Sequence, residues 1–191
     1  MINLWHDISH AFFYERGAQM SIKKWFEIDL QELILLGLVV AMKIVLAQFS
    51  FGPATVKVGL GFIGSVMLAY FFGPVWGAVG GGISDLLTSA IFGQQGGFFI
   101  GFTLTAMAGP LIYGLFFYHQ PIKIWRIIAA TLLVTIIVNI GMNTLWIHMM
   151  YGLDFRAALI QRVPKEVIVP WLQMIITYFV LEAISRVKIR K

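Results

Sequence analysis

Stretches of mainly apolar residues recur along this chain, separated by short polar or glycine-rich joints, and that spacing restricts the fold more than any other feature. A helix that crosses a bilayer needs roughly 20 predominantly apolar residues. Six stretches approach or meet that length, at about 30–49, 59–72, 75–92, 98–118, 127–149 and 167–184. The second is short and glycine-rich, and Gly73-Pro74 separates it from the third. Composition agrees: of 191 residues, 59% are apolar and only 12% charged. Mean hydropathy is +0.85. A soluble domain is about a quarter charged, and a chain this short cannot bury so much apolar surface in an aqueous core. The expected fold is an all-α membrane protein, a six-transmembrane-helix bundle.

Residues 1–28 are mixed, with His6, Asp7, His10, Glu15, Arg16, Lys23 and Lys24 and no continuous apolar run, so no cleavable signal is expected. Trp5, Ile8, Phe12 and Phe13 suit a leader helix lying on the membrane interface. Two regions follow: a cytoplasmic or interfacial leader over 1–28 and a transmembrane domain over 29–191. With both termini cytoplasmic, the inner side holds Arg16, Lys23, Lys24, Lys123, Arg126, Arg186, Lys188, Arg190 and Lys191. The outer side then holds Lys57, Arg156, Arg162 and Lys165. That bias fits the rule that basic residues stay inside. The net charge of +5 is therefore spent on span ends rather than on nucleic acid. The four outward cations sit in two loops and suggest an anionic ligand arriving from outside.

Several polar residues stand at membrane depth, where they are costly and usually face a cavity or a partner. Asp85 in Gly82-Ile83-Ser84-Asp85 either meets a ligand or pairs with Lys43. Lys43 itself snorkels, pairs or meets a ligand. Asn139 and Asn143 share a helix face, with Trp146 three residues on. An amide can read the edge of a heterocycle and an indole can stack on its plane; the alternative is interhelical hydrogen bonding. Gln94 and Gln95 lie between glycines in a loop where backbone can approach a ligand. At the start of the last span, Arg162 offers a fork suited to a carboxylate, and Lys165 a second cation or an interfacial anchor. Glycines four apart (Gly73, Gly77, Gly81 and Gly93, Gly97, Gly101) let helix backbones approach closely.

Catalytic patterns are missing. No lysine follows a glycine, which excludes a P-loop, and there is no Gly-x-Ser-x-Gly elbow. The absence of cysteine removes disulfides and thiolate metal sites. His6-Asp7-Ile8-Ser9-His10 mimics a zinc-protease helix but has Asp where the base is Glu. No enzyme activity, cofactor or metal is expected.

Five stretches carry a family resemblance: 51–64 (FGPATVKVGLGFIG), 70–87 (YFFGPVWGAVGGGISDLL), 92–114 (FGQQGGFFIGFTLTAMAGPLIYG), 143–155 (NTLWIHMMYGLDF) and 162–166 (RVPKE). In these the chain resembles the substrate-capture (S) components of energy-coupling factor (ECF) vitamin transporters, and within them the folate family. The resemblance implies six helices with both termini cytoplasmic, and a pocket opening outward beneath the loops after the first, third and fifth spans. It also implies a transmembrane coupling subunit and two cytoplasmic ATPases as partners, in a bacterial plasma membrane. The family's Ala-x-x-x-Ala coupling contact is matched most nearly by Gly37 to Ala41. Folate would then place its pterin edge at Asp85 and Asn143, stack on Phe62, Phe98 or Trp146, and direct its glutamate carboxylates to Arg162 or Lys165. The alternatives are an S component for another vitamin such as pantothenate, an intramembrane enzyme built on Ser84-Asp85, and a passive channel.

Overall fold

A computed structural model describes residues 28–51, 58–93, 98–152 and 154–186. The leader expected over 1–28 lies outside the described residues, apart from Ile28. Helix α1, Leu30–Gln48, carries its buried residues Leu36, Val39, Val40 and Lys43 at helical spacing. A two-residue antiparallel ladder follows, β1 (Ser50–Phe51) on β2 (Val58–Gly59). Helix α2 then runs Gly61–Phe92 and is broken at Gly73, where φ is 76° and ψ is −171°. Only glycine adopts that backbone readily, and Pro74 behind it supplies no N–H to continue the helix.

The break at Gly73 reverses the chain. A β-carbon on Gly77 would stand 3.4 Å from the Cα of Ala69. In a straight helix two residues eight apart are separated by about 12 Å. The arms before and after Gly73 therefore lie back to back. The second and third expected stretches form these two arms, two helical lengths that meet at Gly73.

Helix α3, Ile100–Phe117, packs against the second arm. Next comes a continuous rod: α4 (Ile124–Leu133), a π-helical segment (Val134–Met142) and α5 (Asn143–Tyr151). Gly152, at φ 63°, ends the rod in the left-handed conformation common after helix C-termini. Helix α6, Phe155–Ser185, completes the described fold. Five helical lengths are long and apolar enough to cross a membrane: Leu30–Gln48, Gly61–Phe92, Ile100–Phe117, Ile124–Tyr151 and Phe155–Ser185.

Two apolar clusters hold the helices together. In one, Leu36, Val39 and Val40 of α1 meet Leu68 and Phe72 of the first α2 arm. In the other, Val66 and Ala69 meet Tyr113 and Phe117 of α3, Val134 and Val138 of the rod, and Leu181 of α6. The outer surface stays apolar on every helix, with Ile34 68% exposed and Trp171 64% exposed. Such a surface needs lipid around it.

Backbone contact is closest where glycine removes the side chain. Gly64 faces Lys43 of α1, and Gly81 faces the carbonyl of Ala106 on α3. At Gly114 an added β-carbon would stand 2.6 Å from the N and Cα of Pro74. Small residues thus set the spacing between α1, α2 and α3; Gly81 belongs to the four-residue glycine pattern, and Gly64 and Gly114 lie outside it.

Candidate functional site

Four elements meet around a cavity of about 170 Å³. The first α2 arm contributes Phe62 and Ser65, one turn apart. Thr105, Gly109 and Tyr113 come from α3 at intervals of four, which puts them on one helix face. The π-helical segment adds Val134, Val138 and Asn139, and α6 adds Gln173. Gly109 is buried, and a β-carbon built on it meets nothing within 4 Å. Its missing side chain is part of the empty space. Tyr113 is buried with its hydroxyl beside Thr131.

Side-chain hydrogen bonds tie these elements together near the cavity. The Nε1 of Trp146 donates to the Oγ1 of Thr105 at 3.0 Å, and that hydroxyl donates to the Gly101 carbonyl at 3.2 Å. The Phe99 ring lies 5.8 Å from the Trp146 ring. On the α6 side, Asn139 Nδ2 donates to Glu166 Oε2 at 3.1 Å. The guanidinium of Arg162 donates to the main-chain oxygen of Asn139 at 2.9 Å. Lys165 and Arg162 are the charged neighbours of Glu166. Asn139 therefore lines the cavity while bonded to α6 through both its backbone and its amide. Its position in a π-helical stretch fits the frequent occurrence of that rare geometry at functional sites.

The structure sorts the residues expected from sequence. Phe62 lines the cavity. Trp146 borders it through Thr105, and Arg162 through Asn139. Asp85 is half-buried and accepts a 2.8 Å bond from Thr103, with Lys43 as its charged neighbour. Thr103 is a partner the sequence did not point to. Neither Asp85 nor Asn143 is among the residues lining the cavity; Asn139, one turn before Asn143, is. Phe98 is 58% exposed, and its neighbour Phe99 meets Trp146 instead. Lys165 stands beside Glu166. Lys57, Gln94 and Gln95 lie outside the described residues. On α1, Gly37 and Ala41 are both exposed, and a β-carbon on Gly37 would find open space. Ser84, the candidate nucleophile of the enzyme alternative, donates its hydroxyl to the Gly81 carbonyl at 2.7 Å.

Sequence reasoning passed over Ser65, Thr105, Tyr113 and Gln173, and read Glu166 only as a neighbour of Lys165. Gln173 and Glu166 did carry a signal, since each is a polar residue in or at the edge of an apolar stretch. Ser65, Thr105 and Tyr113 carried none, because hydroxyls are frequent in membrane helices as packing groups.

Residues 31–185 match the sequence profile of the family described as ECF transporter, substrate-specific component. The chain is a member of that family. It is accordingly a multi-pass membrane protein and a transporter component rather than an enzyme. Among relatives of this S component, the folate transporter FolT of Leuconostoc mesenteroides subsp. mesenteroides is 35% identical over 161 residues, covering 81% of this chain and 86% of that protein. FolT of Clostridium novyi (strain NT) is 32% identical over 158 residues, covering 82% and 91%. The crystal structure of FolT bound with folic acid superposes with a TM-score of 0.74 at 32% identity, covering 81% of this chain and 95% of that one.

Proposed function

We propose that this S component captures folate from outside a bacterial cell and delivers it across the plasma membrane through an ATP-driven ECF partner module. The observation that carries the reading is the cavity bordered by Asn139, Gln173 and Thr105, in a chain similar to FolT over four fifths of its length. At about 170 Å³ it admits roughly the volume of six waters. That suits one flat bicyclic ring and not the whole of folic acid. The pterin enters, between Phe62 and the Thr105–Trp146 pair, and the benzoyl-glutamate extends out toward the loops. There Lys165, Lys57, Gln94, Gln95 and Phe98 supply charge, amides and an aromatic face. Asp85 and Asn143 support the walls on either side of the ring.

The reading includes the topology. The two arms of α2 count as two spans, which gives six, and both termini are cytoplasmic by the distribution of basic residues. Residues 29–191 form the substrate-binding domain, and 1–28 the leader. The exposed strip at Gly37 and Ala41 is where the transmembrane coupling subunit docks. Two cytoplasmic ATPases supply the energy that this chain, without a P-loop, does not.

The test is a titration of purified protein with folic acid, pantothenate and other vitamins, followed by intrinsic tryptophan fluorescence. Trp146 lies beside the cavity, so folic acid should quench emission saturably at a stoichiometry of one. A response to pantothenate and none to folic acid would transfer the protein to another vitamin.

A further inference from the structure

We infer that Arg162 and Glu166 form a clamp on Asn139, fixing its amide so that the site selects a ring edge with an N–H beside a carbonyl. The inference rests on the cavity being the ring-binding end, as proposed above. Its basis is one residue held at two points. The main-chain oxygen of Asn139 accepts from Arg162, and its side-chain Nδ2 donates to Glu166. Arg162 and Glu166 are four apart on α6, so both bonds come from a single helix face.

The chemistry of the partners fixes the orientation. A carboxylate only accepts, so the atom of Asn139 it meets is the amide nitrogen. An amide flip, usually ambiguous, is settled by such a partner. One N–H of Nδ2 is thereby given to Glu166, and Oδ1 and the second N–H remain to a residue that lines the cavity. A fixed amide offers an acceptor beside a donor, and a ligand has to bring the complementary pair. The pterin of folic acid has it, an N3–H beside the C4 carbonyl. Its 4-amino analogue reverses the order, with a bare N3 beside an amino group.

The same geometry changes the role of Arg162. With its Nη1 on a main-chain oxygen of the rod, Arg162 acts as a positioning residue. Lys165 is left to meet the tail carboxylates.

Two ligands separate these roles. Pteroic acid has the ring and benzoyl group of folic acid and lacks the glutamate. In Arg162→Gln, folic and pteroic acid should weaken by the same factor, about tenfold or more, the scale of a lost hydrogen bond to a charged group. Folic acid weakened with pteroic acid unchanged would overturn the clamp, because the arginine would then be meeting the tail. No weakening of either would overturn it too. In an Asn139→Ala background, Arg162→Gln should cause no further loss, and an additional full loss would show an independent contact.

Should Arg162→Gln fail to fold, Glu166→Gln carries the test. A glutamine at 166 accepts or donates and frees the Asn139 amide to turn. Wild-type protein should prefer folic acid to its 4-amino analogue, and that preference should narrow in Glu166→Gln; no preference in the wild type, or an unchanged one in folded Glu166→Gln, contradicts the proposal. Wild-type protein that binds neither folic nor pteroic acid would strike the ring-binding reading itself, a different result from any of these.

Discussion

The two sides of this molecule are built by different means. On one side α1, α2 and α3 pack backbone to backbone, with Gly64, Gly81 and Gly114 standing where any side chain would collide. On the other side the rod and α6 are joined by polar side chains, Asn139 to Glu166 and Arg162 to the Asn139 carbonyl. The cavity lies on the seam between them, with Phe62 and Thr105 from the first side and Asn139 and Gln173 from the second. Lipid supplies no hydrophobic drive between helices, so close packing of small residues gives rigidity. Polar contacts give direction and chemistry at a cost if left unmade. A binding protein in a membrane gains from having one wall of each kind.

The largest effect should come from breaking the packed wall. Gly114→Val places atoms against the N and Cα of Pro74, at the point where α2 reverses, and no flexible side chain can move aside. We expect a loss of more than about 3 kcal/mol and no monodisperse peak on size exclusion in detergent. The polar wall should yield less. Asn139→Ala leaves Glu166 without its amide donor and Arg162 with its main-chain acceptor, so thermal unfolding should show about 1–3 kcal/mol lost. Thr105→Val removes the acceptor of the Trp146 indole at the seam, for about 1 kcal/mol and a shift in tryptophan emission. The outer face of α1 belongs to neither wall. Gly37→Ala should leave unfolding within about 0.5 kcal/mol and folic acid titration unchanged. On the proposed function, where the coupling subunit docks at this strip, a bulky Gly37→Phe should still bind folic acid and yet fail in cellular uptake.

That asymmetry also governs what could be read from the sequence. The packed wall was visible in part: apolar runs mark spans and glycines four apart pick out Gly81, but Gly64 and Gly114 stand outside that pattern. The Gly73-Pro74 break was visible as a boundary, though not as a single residue reversing one helix. The polar wall was partly visible. Trp146 could be singled out as an aromatic one turn from Asn143, and Arg162 as a fork at the start of the last span, while Phe62 entered only through the family resemblance. Of Asn139 and Asn143, which share one face of an ordinary α-helix, the sequence favoured Asn143 as nearer the outer side, whereas Asn139 lines the cavity. The π-helical segment alters that register, and nothing in Val134–Met142 announces it. Asp85 is the instructive case. Its depth in the membrane pointed equally to ligand and to structure, and only the position of Thr103 shows the bond it makes.

The central claim is that the vitamin's ring occupies the cavity beside Gly109. Gly109→Leu tests it most directly, because the added side chain enters open space within a helix that favours leucine over glycine. The account predicts protein that unfolds at the wild-type temperature or above and has lost folic acid binding by about a hundredfold or more, the scale of a blocked buried site. A Gly109→Leu protein that folds and binds folic acid with unchanged affinity would contradict it.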